Sequence, residues 1–496
     1  MNLAHLIDGH PDDAVALISR GRPTTYGTLR EQVAAMRGGL AGLGVGRGER
    51  VVLLCGNGRH FVVSYLAILG LGAVAVPLNP TSPGPALARE IATVDAGVVI
   101  LEPVAAQAWE SIDREDVPSV RHVVVTDHTD RSGTVSFEAL LDTPEVPVVE
   151  VDDDTLAVLI FTSGTVGAPR AAMLSHGNLL SNQHQQQQSR ERLQSDDVVF
   201  GLLPLNHIFG LNVVLGLTLA AGACVVLIQR FDPLTAMESI RDRGVTIVPG
   251  APPMWIAWSH FDDAPEGAFG TVRLALTGAA KMPEEASRRL RERFGIQLYE
   301  GYGLTEASPT VTSSAGFPNR IGSVGRVLEG IEVRLVDESG HDVLAGDPGE
   351  IWVRGPNVFK GYLDDPQATA AAIHPDGWLR TGDIASTDAD GWLYLVDRAK
   401  DLIIVSGFNV FPAEVEEVLA EHPGVAEVGV VGVPHPNTGE AVKAYVVARP
   451  DTHIDEEQLI TWCRDNLARY KCPSKILFVD ELPRSISGKL LRRSLA

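Results

Sequence analysis

The chain has 496 residues, of which 45% are hydrophobic and 21% charged, and its formal charge is −22. That length points to more than one domain, and the composition is that of a globular protein. The acidic balance argues against a nucleic-acid or anionic-membrane surface, which needs clustered Lys and Arg, and means that any phosphate site must rely on local groups.

In chain order, the start MNLAHLIDGHPDDA has neither a basic n-region nor an apolar h-region, so no secretory signal is expected. The run Phe61 to Leu78 is interrupted at Gly70, Gly72 and Pro77, and reads as a helix followed by a short buried strand. The run Asn212 to Ile228 divides at Gly222 in the same way, so no integral membrane span is expected. Short β-branched runs at 51, 98, 122, 224 and 245 alternate with helix-length amphipathic segments, the pattern of an α/β fold with buried strands. QHQQQQ, from 183 to 188, reads as an extension of a helix and is given no function. GEIWVRG and GWLYLVDR read as antiparallel strands, a β-rich part. Near residue 397 a smaller α+β pattern begins, whose helix opens at Pro412 with Val415, Val418 and Leu419 on one face. The expected architecture is a large N-terminal α/β domain over 1–397, a hinge at 398–401 and a small, mobile C-terminal α+β domain over 402–496. Cys55, Cys224, Cys463 and Cys472 form no CxxC pair, which argues against zinc or disulfide frameworks and for a reducing, cytoplasmic setting.

The most informative stretch is FTSGTVGAPRAAMLSHGN, Phe161 to Asn178, behind the apolar run LAVLI. Glycines let backbone wrap a ligand closely, and successive N–H groups form an anion nest. The following helix N-terminus is expected to add a favourable dipole, and Arg170 a cation. The Gly-x4-Gly-Lys-Ser/Thr signature is absent. Read alone, this loop is equally a Gly-rich turn between strand and helix.

Further segments follow in order: TGAA at 277, YEGYGLTEAS at 299, LRTGDI at 379, DRAKDLIIVSGFNVFPAEVE at 397 and LPRSISGKLLRR near the end. With the loop, these six resemble the adenylate-forming superfamily, which includes acyl- and aryl-CoA synthetases, peptide-synthetase adenylation domains and firefly-type luciferases. The resemblance runs from about residue 20 to the end. It implies two half-reactions: ATP converts a carboxylate to an acyl-adenylate with loss of pyrophosphate, then a thiol displaces AMP.

The resemblance also implies roles. Thr162, Ser163, Gly164, Thr165 and Gly167 hold the β- and γ-phosphates, with Arg170 beside them. Thr165 and Glu306 match magnesium positions, and hard oxygen ligands suit Mg2+. Gly278, Ala279, Ala280, Glu300, Gly301 and Tyr302 form an adenine slot on which Tyr302 can stack. Thr305 contacts the α-phosphate, Asp383 and Arg398 bond the ribose, and Lys489 bridges the reacting carboxylate and the α-phosphate. Singly, each has a plain alternative: Asp383 as a turn cap, Arg398 as a surface ion pair, Lys489 on a basic terminal helix. The loop departs from the usual TSGTTGxPKG at Val166, Arg170 and Ala171; Arg keeps the charge and can bind phosphate in a fork.

LPLNHIFGL, Leu203 to Leu211, matches the segment that gates the carboxylate pocket, with His207 as gate residue or as a histidine satisfied in the core. It carries no Asp to pair a substrate ammonium, which favours an uncharged-chain acid over an amino acid. Ser406, Gly407 and Phe408 match the border of the pantetheine tunnel, Arg230 lies where some relatives place a cation near CoA, and Lys400 is the expected pivot. The expected protein is an ATP-, Mg2+- and CoA-dependent fatty acid–CoA ligase. The alternatives are an acyl-AMP ligase that loads an acyl-carrier protein, an aryl-acid CoA ligase, a catalytically silent nucleotide-binding homologue and, more remotely, a luciferase.

Overall fold

The buried β-branched runs pair in parallel, as their continuous apolarity requires, because a strand covered on both faces needs no polar alternation. The computed structural model describes residues 1–127, 133–162, 170–318, 320–337, 339–398, 401–405, 408–435, 438–450, 452–467, 469–484 and 490–495. In a seven-stranded sheet, Arg50–Leu54 is flanked by Val74–Pro77 and Val98–Leu101, the latter followed outward by His122–Val125 and Val135–Ser136. Its other edge is a hairpin, Leu156–Thr162 against Arg170–Ser175.

That hairpin corrects one expectation. Thr162 stands opposite Arg170, so the next described element after Leu156–Thr162 is a strand and not a helix. The helix begins only at His176, with its first turn satisfied by a Ser175–Asn178 capping box. The physical reason is burial: Ala171, Ala172 and Leu174 are covered when the segment extends an existing sheet. The helix N-terminus therefore follows the strand Arg170–Ser175 and not the strand Leu156–Thr162.

The second sheet has nine strands, in the order Arg326–Val327, Thr310–Ser313, Leu298–Gly303, Leu274–Thr277, Ile247–Gly250, Val198–Gly201, Cys224–Leu227, Val15–Ser19 and Arg22–Thr25. Its six central strands are parallel and its edges antiparallel. A four-stranded antiparallel meander follows: Glu332–Val336, Gly349–Arg354, Leu379–Thr387 and Leu393–Arg398. From Ile403 a five-stranded sheet carries the helices Pro412–Ala420 and Glu456–Asn466, and its core of Ile403, Val415, Leu419, Val430, Leu459 and Cys463 is separate from the main one. The result is a large N-terminal α/β part and a smaller C-terminal domain.

Both apolar runs are broken as expected. Arg59–Gly70 is a helix and Val74–Pro77 a strand, while Leu217–Ala221 ends on Gly222 in a left-handed conformation, φ +71°, before the strand Cys224–Leu227. Among the described residues no helix is long and apolar enough to cross a membrane.

Candidate active site

The candidate segments leave the carboxyl ends of the nine-stranded sheet. Leu203 to His207 follows Val198–Gly201, Gly278 to Ala280 follows Leu274–Thr277, and Thr305 follows Leu298–Gly303. The strand after Val198–Gly201 lies on one side of it and the next, Ile247–Gly250, on the other. Such a switch in strand order opens a crevice at the carboxyl ends, the usual ligand position in open α/β sheets.

The gate segment is held from the other sheet. Asn57 Nδ2 donates to the carbonyls of Gly201, Leu202 and Leu203, and its Oδ1 accepts from the Leu205 amide, at 3.0–3.2 Å. His207 Nδ1 accepts from the Phe209 amide at 3.3 Å, and burial pulls the imidazole pKa down, favouring the neutral ring. Phe209 opens a π-helical stretch, Phe209–Gly216.

The slot residues come together. A Cβ on Gly278 would meet the Gly301 carbonyl at 3.4 Å and the Phe209 ring at 3.5 Å, so bare backbone faces bare backbone here. Ala279 adopts a left-handed φ of +70°, an unfavourable conformation for a residue with a Cβ. Burial pushes the Glu300 carboxyl up to about 7, opposed by the Met282 amide and the Lys281 charge. A raised carboxyl favours the folded state most when protonated, so this contribution is full below the unfolded value of about 4.5 and fades as pH rises through about 7. Glu300→Gln should therefore lose less thermal stability than wild type between pH 5 and pH 8; parallel melting curves of Tm against pH would show that Glu300 does not titrate in this window.

Tyr302 does not present an open stacking face: it is 7% exposed, and its hydroxyl donates to Asp383 Oδ2 at 2.7 Å. It orients a buried carboxylate that lies 81 residues further along the chain. Across the meander Asp383 stands opposite Arg398, so the two expected ribose groups are neighbours in register. Glu306 lies in the turn Thr305–Ala307, which also carries the half-buried Thr305. The Tyr362 hydroxyl donates to Glu306 Oε1 at 2.7 Å, and burial together with this carboxylate drives the phenol pKa up. Arg170 lies beside the same ring, 5.7 Å from its centroid, and its Nε donates to Asp365 Oδ2 at 3.0 Å. Arg170 is thus engaged by Asp365, which also caps the helix Pro366–Ala372.

Arg230 is exposed beyond the strand Cys224–Leu227 and makes none of these contacts. Phe408 lies on the strand Phe408–Val410 of the C-terminal sheet. Ser163, Gly164, Thr165, Gly167, Lys400, Ser406, Gly407 and Lys489 lie outside the described residues. Asn57, Phe209 and Tyr362 were not singled out from sequence; their polar or aromatic types carry no local signal, since their partners are remote.

The donor set suits a nucleotide with a hard metal ion. Glu306 supplies a carboxylate oxygen already oriented by Tyr362, and Mg2+ commonly takes one or two carboxylates, with phosphates and water completing its shell. Among the described residues no group of three or more metal-ligating side chains gathers, which a phosphate-held ion does not need.

An apolar cavity opens beside the slot. Val213, Leu217, Ile247, Pro249, Leu274 and Leu276 line it, and Gln187, Ser189, Glu191 and Arg192 lie at its polar side. Leu276 is two residues before Gly278, and Ser313, also in the wall, pairs with Gly301.

Comparison with known proteins gives the family. The AMP-binding enzyme family profile matches residues 3–363, and the AMP-binding enzyme C-terminal domain profile matches 414–489. A feruloyl-CoA synthase from Amycolatopsis is 37% identical, covering 97% of this chain and 94% of its own length. A long-chain-fatty-acid–CoA ligase from Yersinia pestis is 35% identical, with 97% and 91% covered. The crystal structure of ATP-bound MatB from Rhodopseudomonas palustris superposes with a TM-score of 0.92 at 31% identity, covering 100% of this chain and 98% of that one. The chain belongs to the AMP-binding, adenylate-forming enzyme family. Within it the chain is an AMP-forming acid–CoA ligase, with ATP, Mg2+ and CoA as its cofactors.

Proposed function

We propose that the acid is a fatty one, converted to an acyl-adenylate and then to acyl-CoA. The observation that carries this reading is the apolar wall of the cavity beside the slot; the carboxylate in its lining, Glu191, is paired with Arg273 at 3.3 Å. An aryl acid is the second reading, favoured by the near-equal identity to a feruloyl-CoA synthase. A pyrophosphate-release screen over carboxylic acids, with and without CoA, tests both. The expected result is turnover with medium or long alkanoic acids that rises with CoA; turnover confined to cinnamic or benzoic acids overturns the fatty reading. Turnover that ignores CoA but responds to an acyl-carrier protein would move the acceptor to that partner.

In this reading, bare backbone at Gly278, Ala279, Ala280 and Gly301 receives the adenine beside Glu300. Asp383, aimed by Tyr302, accepts from the ribose hydroxyls and Arg398 donates to them. Thr162, Ser163, Gly164, Thr165 and Gly167 donate to the β- and γ-phosphates. Thr165 and Glu306 would hold magnesium, which would supply positive charge to those phosphates. Thr305 and Lys489 meet negative charge growing at the α-phosphorus, where pre-placed donors act most strongly. His207, neutral by burial, closes the acid pocket. Ser406, Gly407 and Phe408 border the thiol path, with Arg230 at its outer end. The large domain is 1–397, the hinge 398–401 with Lys400 as pivot, and the small domain 402–496, in a cytoplasmic protein.

Arg170 serves phosphate in this account while Asp365 steadies it. Arg170→Ala should raise the KM for ATP by roughly ten-fold, the cost of one charge-assisted contact, and Arg170→Lys should retain most activity. An unchanged KM with a lowered Tm would assign Arg170 to the Asp365 pair alone.

A further inference from the structure

The glutamine-rich run has an inner face that the ligase chemistry leaves unused. In the helix His176–Gln187, Asn182, Gln183 and Gln185 are buried, whereas His184 and Gln188, just past the helix end, are exposed. Burying amides is unfavourable unless they are bonded, so the destinations of these side chains matter. Asn182 Nδ2 donates to the Thr310 carbonyl at 2.8 Å, and its Oδ1 accepts from the Thr310 amide at 3.1 Å. Gln183 Nε2 donates to Asn212 Oδ1 at 2.7 Å. Asn212 Nδ2 donates in turn to the carbonyls of Leu179 at 3.2 Å and Ser308 at 2.7 Å. Gln185 Nε2 reaches Asn357 Oδ1 at 3.3 Å, and Asn357 Nδ2 donates to the Ala307 carbonyl at 2.8 Å. The Ser308 hydroxyl donates to the Asn357 carbonyl at 2.8 Å.

These bonds converge on one short piece of chain, residues 305 to 310, which carries Thr305 and Glu306. Ser308 has a left-handed φ of +69°, which a residue with a Cβ adopts only when its surroundings impose it. Asn212 belongs to the stretch Phe209–Gly216, which starts two residues after His207. One side chain therefore ties the gate segment to the Glu306 turn. The amide orientations follow from the network: two carbonyls require the Nδ2 of Asn212, which leaves its Oδ1 for Gln183. Gly216 leaves room for this pair, since a Cβ there would sit 2.5 Å from Gln183 Nε2 and 2.9 Å from Asn212 Oδ1. Gln183 Oε1 has no partner among the described residues, so that amide is held through its donor side.

We infer that Asn212, seated by Gln183, is a positioning residue for adenylation: it locks the Thr305–Ser308 turn to the gating helix and so holds Glu306 in register with the acid pocket. The inference rests on the reading of Glu306 as the magnesium-side carboxylate. Asn212→Leu removes the bridge at similar volume, and Gln183→Met removes only its seat. The measurements are pyrophosphate exchange against magnesium concentration, thioester formation from supplied acyl-adenylate and CoA, and the rise in Tm that ATP gives with and without Mg2+. Asn212→Leu should raise the half-saturating Mg2+ about ten-fold, leave thioester formation within about two-fold, and shrink the Mg2+-dependent part of the ATP-induced Tm rise. Gln183→Met should do the same at about three-fold, and it decides the matter if the leucine variant does not fold. Gln188→Ala, on the exposed side, should match wild type. Wild-type magnesium dependence in the folded variants, or equal loss in both half-reactions, overturns the inference. A wild-type protein that adenylates no acid would sink the proposed function instead, and the Mg2+-dependent Tm rise with ATP, which needs no acid, would still decide the role of Asn212.

Discussion

Lys489→Ala is expected to lose adenylation by about a hundred-fold or more, yet still to make thioester from supplied acyl-adenylate and CoA. The first half of this expectation follows from removing a cation from charge that grows in the transition state. The second follows from the proposed division of roles. Lys489 and Gly407 lie about 80 residues apart in the same small domain, one assigned to each half-reaction. In the proposed reading the small domain turns between steps as a rigid body about a few linker residues, so that each residue serves its own half-reaction. Contacts with the large domain must then be cheap to exchange. The ion pair between Lys281, beside the slot, and Glu417, on the helix Pro412–Ala420, fits this requirement: both side chains are more than half exposed, and such pairs contribute about 0–1 kcal/mol. Gly407→Leu should show the opposite signature, with adenylate formed and the thiol path blocked. Lys400→Pro should hurt the second step more than the first, because it restricts the pivot. Pyrophosphate exchange reads the first half and thioester formation from synthetic acyl-adenylate the second. Equal impairment of both halves in Lys489→Ala and Gly407→Leu would leave a single fixed geometry as the better account.

The second large effect separates metal from ribose. Glu306→Gln should lose roughly ten- to a hundred-fold in adenylation rate, the scale of one or two charge-assisted contacts, and added magnesium should restore part of it. Asp383→Ala should lose as much and recover nothing, because its carboxylate would meet the nucleotide directly. Tyr362→Phe should resemble Glu306→Gln at smaller amplitude, since it removes the hydroxyl that donates to Glu306 Oε1 at 2.7 Å. The discriminating measurement is rate against magnesium concentration for the three variants. Superimposable curves for Glu306→Gln and Asp383→Ala would defeat the division of roles.

Much of this protein is written locally. Four-residue β-branched runs such as VVIL at 98 are fully buried in the sheet, as continuous apolarity demands, and Gly222 ends its helix in the conformation that glycine alone adopts freely. The order of the glycine- and hydroxyl-rich segments carried the resemblance to the family, while residue type alone left the loop equally a turn. The hairpin after residue 162 was not legible in the same way. RAAMLS suits a helix or a strand equally, and the free edge of the seven-stranded sheet decided between them. The orientation of the candidate site was decided by tertiary structure as well. Tyr302 meets Asp383, Tyr362 meets Glu306, Arg170 meets Asp365 and Asn212 meets Ser308, over separations of 81, 56, 195 and 96 residues. Residue type makes each of these side chains able to bond, but a hydrogen bond is satisfied by position in space. Only the packing of the sheets, helices and meander brings the partners to 3.0 Å or less.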